Sequence, residues 1–94
     1  MENTPYIGMT FGRNNSTIRY TILDIKEDNL VCQFTDTDTN KSGNCEMSVD
    51  YFNKGFVNSP RFVEYKEHFY PKEFSSYEEY VEYLKGKGFA FEAP

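Results

Sequence analysis

The chain reads as a small α+β domain: a bent antiparallel sheet of four or five strands with a C-terminal amphipathic helix. Three observations predict it. Leu30, Cys32 and Phe34 alternate with polar residues, as do Cys45, Met47 and Val49, the period of half-buried strands. Tyr77, Tyr80, Val81 and Leu84 instead recur at helical spacing. Finally, 94 residues without an internal repeat or linker suit one domain. Residues 1–94 are therefore taken as a unit, with a β-rich part over about 5–63 and an aromatic, acidic helical extension over about 64–94.

In order along the chain, Tyr6 to Phe11 would supply a short edge strand, followed by a polar turn over Gly12 to Ser16. Ile18, Tyr20 and Ile22 alternate, and then the pattern slips one place to Leu23 and Ile25. A β-bulge or a stretch of coil near Ile22 accounts for the slip. Glu27-Asp28-Asn29 is a turn. Asp36 to Asn44 is polar, contains Gly43, and reads as a long hairpin tip. The three strands joined by these turns form a meander.

Asp50 to Lys54 suggests a short helical turn closed by Gly55, and Phe56-Val57 a few strand residues beyond it. Residues 61–70 satisfy two patterns. Ser59 and Pro60 make a helix start and Pro71 a stop, with Phe62, Tyr65 and Phe69 on one face; the same stretch is dense in β-formers, and Val63, Tyr65 and Phe69 also alternate. Tyr77 to Lys85 is a helix with a capping box from Ser76 and Glu79, or Ser75 and Glu78. Its glutamates cluster early and its lysines late, as the helix dipole favours. Gly86 and Gly88 end it, and Phe89 and Phe91 then add a strand or fold back as an apolar clasp.

Thirteen of the seventeen aromatic residues fall between Tyr51 and Phe91, and a chain this short needs bulky side chains to fill its core. Fifteen acidic against ten basic residues give a net charge of −5. Residues 64–94 carry seven acidic and four basic groups, which disfavours a phosphate-binding face there and favours a basic partner. Rings that grip nucleic acid are accompanied by lysine and arginine, whereas Tyr77, Tyr80 and Tyr83 are interleaved with Glu78, Glu79 and Glu82.

No pattern of residues points to catalysis. Asp36, Asp38 and Asn40 open like a calcium-binding EF-hand loop, but Lys41 stands where that loop needs glycine and Met47 where it needs glutamate. Cys32, Cys45 and His68 have no metal-site spacing, and the parity of the cysteines turns both inward, opposite each other across the hairpin. His68, with Glu64 and Glu67 nearby, is the one candidate acid/base group. Nucleophile elbow and phosphate loop are both missing from the sequence. The expectation is a non-enzyme without metal or cofactor. No segment has the roughly 20 apolar residues of a membrane span. Met1 to Phe11 does not read as a signal peptide, so the expected compartment is the cytoplasm, where both cysteines stay reduced.

Two binding surfaces are predicted. Tyr83 falls off the buried helical stripe, so Glu78, Glu79, Glu82 and Tyr83 form an acidic, tyrosine-bearing surface for another protein with a basic face. The alternative is nucleic-acid binding through Arg13, Arg19, Lys26 and Arg61 of the β-rich part. Self-association through the aromatic face is a third reading.

Residues 20–60 carry Tyr20-Thr-Ile-Leu-Asp-Ile, Val31-Cys-Gln-Phe-Thr-Asp and Phe52-Asn-Lys-Gly55-Phe-Val-Asn-Ser-Pro60. This pattern resembles small β-rich proteins of bacteriophages and mobile elements, whose strands end in a Phe…Gly…Val…Asn-Pro segment. The resemblance covers less than half the chain. It implies a small SH3-like barrel and an accessory or inhibitory binding role, and it assigns no site residues.

Overall fold

The computed structural model describes residues 4–65, 70 and 73–88. Five strands run β1 (Thr10–Arg13), β2 (Ile18–Lys26), β3 (Asn29–Asp36), β4 (Ser42–Ser48) and β5 (Phe62–Tyr65). A one-turn helix, α1 (Val49–Phe52), continues into a π-helical turn, Asn53–Val57, and a longer helix, α2 (Tyr77–Gly86), follows β5. All pairings are antiparallel, and the strand order is β4-β3-β2-β1-β5. Among the described residues the sheet is open and does not close into a barrel.

The meander β2-β3-β4 follows the predicted pattern, including the slip, except at its ends: Ser42, Gly43 and Asn44 belong to β4, paired with Thr35, Phe34 and Gln33, and not to the hairpin tip, while Val49 opens α1. Ile22 pairs with Cys32 and Asp24 with Val31, so Leu23 is the extra residue of a β-bulge. Its effect is to keep Ile22 and Ile25 on one face while Leu23 crosses to the other. The Asp24 carboxylate accepts the Ile25 amide at 2.8 Å beside it.

The N-terminal strand differs from its prediction. It is not an edge: β1 lies between β2 and β5, and it includes Gly12 and Arg13, which the sequence suggested were a turn. Close approach explains the glycine. A Cβ on Gly12 would lie 2.8 Å from the Ile18 carbonyl oxygen and 3.5 Å from the Tyr65 ring. Gly8, with φ of 96°, begins this approach by donating its amide to Ile22 O at 2.8 Å, while Met9 O accepts the Ile22 amide.

Residues 61–70 resolve in part. Phe62–Tyr65 is a strand, pairing Phe11 with Glu64, and the expectations for Glu67, His68, Phe69, Pro71, Phe89 and Phe91 fall outside the described residues. Gly55 does not close the helical turn but lies within its π-helical continuation, and Phe56 and Val57 belong to that turn and not to a strand.

Each face of the sheet has its own core. On one, Met9, Phe11, Ile22, Leu30, Cys32 and Met47 meet Phe52 and Phe56 from α1 and the π-helical turn. Phe52 and Phe56 stand edge-on to Phe11, with ring centres 4.9 Å and 5.0 Å away. On the other, Leu23 packs with Tyr80, Val81 and Leu84 of α2. The bulge therefore supplies the sheet residue around which the second core forms.

Candidate partner-binding surface

Helix α2 begins where the sequence placed it. Ser76 is the N-cap, its Oγ accepting the Glu79 amide at 3.1 Å. The Glu79 carboxylate turns back and accepts from the amide and hydroxyl of Ser75, at 2.7 Å and 2.6 Å. These hydrogen bonds favour the charged form and hold the Glu79 carboxyl below the usual range. The reciprocal bond thus reaches the residue before the cap, a variant of the capping box.

Tyr80, Val81 and Leu84 face the sheet and are buried. The Tyr80 hydroxyl donates to Gln33 Oε1 on β3, anchoring the middle of the helix, and burial raises the Tyr80 phenol. Glu78, Glu79, Glu82 and Tyr83 lie on the exposed side. The structure thus brings the four predicted residues onto one helical surface, with Glu79 also serving the cap. Glu78 and Glu82 make no ion pair among the described residues.

Tyr83 is 45% exposed, yet its ring is held in place. Phe74 packs against it at 5.1 Å between ring centres, and the Lys87 ammonium lies 5.4 Å from the ring centre. Phe74 also contacts Tyr80 at 5.2 Å, linking the exposed ring to the core. Sequence reading placed Tyr83 outside but missed Phe74, which precedes the helix and has no place in its periodicity. Beside Tyr83 runs a shallow groove of about 180 Å³, lined by Gln33, Asn44, Tyr83, Leu84 and Lys87. It is smaller than the roughly 300–1,000 Å³ of small-molecule sites.

The predicted basic residues are distributed differently. Arg13 donates through Nη2 to the Gly55 carbonyl at 2.6 Å and lies 4.2 Å over the Phe56 ring, so it closes the π-helical turn. Arg19 lies 4.1 Å over the Tyr65 ring on the opposite face. Arg61 is exposed just before β5, and its carbonyl accepts the Asn14 amide. Lys26 is exposed at the far end of β2, seven residues or roughly 23 Å from Arg19. The four do not share one face.

The hairpin tip shows why Asp36 suits a turn. Its carboxylate accepts from the Thr17 hydroxyl at 2.8 Å and from the Asp38 amide at 2.9 Å, which lowers its carboxyl. Among the described residues no three His, Cys, Asp or Glu side chains gather as a metal site, and no helix is long and apolar enough to cross a membrane.

No family model, characterised protein or solved structure matches this chain.

Proposed function

We propose that the protein is a non-catalytic binding or inhibitory module that recognises another protein through the exposed face of α2. The observation that carries this reading is Tyr83: a large ring, nearly half exposed, packed against Phe74 with the Lys87 ammonium beside it. A tyrosine fixed before binding loses little side-chain entropy when a partner covers it, and tyrosine is enriched at interfaces for such reasons. Glu78 and Glu82 beside it leave negative charge for a basic partner surface and favour rapid encounter.

A non-catalytic role agrees with the places of four of the shifted groups. Cys32 and Tyr80 are shifted by burial, Asp36 and Glu79 by hydrogen bonds that close a turn and a helix. Each has a structural duty. An accessory protein of a phage or mobile element, acting in the cytoplasm, is a natural setting for such a module. The nucleic-acid alternative draws less support, because Arg13 and Arg19 are committed to rings on opposite faces.

Affinity capture from a host lysate, split into nuclease-treated and untreated halves, tests the reading. A stoichiometric protein should survive nuclease and be lost with the Tyr83→Ala, Glu78→Lys, Glu82→Lys variant, whose circular dichroism should match the parent. Glu79 is left intact because it caps the helix. Full capture by that variant overturns the surface assignment, and capture that vanishes with nuclease moves the site to the basic residues.

A further inference from the structure

Strand β4 forms one edge of the sheet, and among the described residues no strand flanks its outer side. Its backbone parity follows from two hydrogen bonds. Val49 donates to Asp28 O and Asp36 donates to Lys41 O, both at 2.8 Å, one at each end of the β3–β4 ladder. Antiparallel pairs alternate between bonded and unbonded, so the amides and carbonyls of Ser42, Asn44, Glu46 and Ser48 point away from β3. All four residues are exposed. The devices that usually blunt an edge are largely missing: the strand contains no proline or lysine, and its pairing with β3 has no bulge.

The groove beside Tyr83 borders this edge. Asn44 belongs to β4 and Gln33 to β3, while Tyr83, Leu84 and Lys87 overhang them from α2. A strand added outside β4 would run about 4.8 Å from it, with every second side chain on the α2 side of the sheet. The side chain next to Asn44 enters the groove, where it meets two amides and the Lys87 ammonium. The side chain two residues away lies next to Glu46, whose carboxylate accepts from the Asn29 side chain and remains exposed.

We propose that β4 accepts an extended segment of the protein partner as a sixth strand. This segment carries an acidic residue beside Asn44 and a basic residue two positions away beside Glu46. Main-chain hydrogen bonds to Ser42, Asn44, Glu46 and Ser48 supply affinity, and the groove supplies side-chain selection. The inference rests on the protein-binding reading and on Tyr83, but not on the glutamates of α2.

The probe is a displayed library of random peptides of about ten residues, the upper range of natural strands, panned on the full chain. The expected result is enrichment of Lys/Arg-x-Asp/Glu for a strand added antiparallel to β4, the pairing used throughout this sheet, or of Asp/Glu-x-Lys/Arg for a parallel one. Synthetic peptides from the enriched set should slow hydrogen exchange at the amides of Asn44 and Glu46. N-methylation at alternate peptide residues should weaken binding about tenfold or more in one parity and little in the other. Asn44→Pro should abolish binding without breaking the β3–β4 ladder, since its amide points outward. Lys87→Glu should reverse the preferred charge at the groove position.

Failure to enrich any peptide overturns the proposal, as does binding indifferent to N-methylation. Protection of the Asn44 and Glu46 amides in the free protein overturns it too, because the edge is then already occupied. A Glu78→Lys, Glu82→Lys variant separates the two readings. If it keeps both the peptide and the lysate partner, the acidic surface fails and the strand site stands; if it loses the lysate partner while the parent selects no peptide, the reverse holds.

Discussion

Cys32 faces Cys45 directly across the β3–β4 ladder, in a pair whose backbones are hydrogen-bonded to each other. Both are free thiols, Cys32 buried and Cys45 half-buried. Burial, with the neighbouring Cys45 adding to it, pushes the Cys32 thiol up to about 12. Burial raises Cys45 as well.

The thiols should therefore be slow nucleophiles in the folded protein. From a reference of 9.0 to about 12 the Cys32 thiolate fraction falls roughly a thousandfold at neutral pH. Iodoacetamide labelling followed by mass spectrometry should modify Cys45 first and Cys32 only on unfolding. Because the folded value lies above the unfolded one, this contribution to stability is complete below about pH 9 and is lost as pH rises towards 12. Denaturant midpoints of the parent should fall across that window, and Cys32→Ala should flatten the fall. Rapid labelling of Cys32 in the native state would contradict the buried placement.

Tyr80→Phe removes the hydroxyl that donates to Gln33 while keeping the ring in the second core. The expected loss is about 1 kcal/mol, the net worth of one such bond. In a domain of this size that lowers Tm by about 4–8 °C. Tyr80→Ala should cost roughly 3–5 kcal/mol, the range for truncating large buried aromatics, and should detach α2. Thermal unfolding checks both; equal effects would mean that the hydroxyl and not the ring holds the helix.

Gly12→Ala tests the packing of β1. The new methyl would meet a backbone carbonyl that cannot swing aside, at 2.8 Å. Overpacking of this kind costs about 1–3 kcal/mol. Gly86→Ala, at a site where a Cβ meets nothing within 4 Å, should be neutral or slightly stabilising. Similar melting temperatures for the two variants would contradict the close approach of β1 to β2.

Ser76→Ala should cost about 1 kcal/mol and reduce helical ellipticity, as loss of an N-cap does. Glu79 and Asp36 carry acid dependence: their folded values are lowered, so their contributions are present above the ordinary carboxylate range and are lost as pH falls below it. Glu79→Gln and Asp36→Asn should each lessen the loss of stability between neutral and acidic pH. An unchanged acid limb in the double variant would count against both hydrogen-bond sets.

Much of the meander and α2 was legible because their determinants are local. The parity of Leu30, Cys32 and Phe34, the slip at Leu23 and the serines before Tyr77 act within a few residues of one another. Even the opposition of Cys32 and Cys45 follows from a hairpin register. The central place of β1 was not legible, since it depends on pairing with β5, whose residues fit a helix pattern as well as a strand. Gly12 looked like a turn because its role, leaving room for a distant carbonyl and ring, has no local signature. At the candidate surface the helical wheel located Tyr83, Glu78 and Glu82, but the Phe74 contact and the groove beside Asn44 arise only when α2 is laid across the sheet.

The strand order has a kinetic consequence. The meander closes through short loops, whereas β1 gains its second neighbour only when Glu64 returns to Phe11 from the far part of the chain. Short loop closures cost less entropy, and the β1–β2 turn over residues 14–17 is short like those of the meander, so a nucleus in β1-β2-β3-β4 is expected with β5 docking after the barrier. Substitutions at Leu30 or Met47 should then slow refolding, while those at Val63 or Tyr65 should mainly quicken unfolding. Chevron plots yielding high φ-values in β5 would reverse that order.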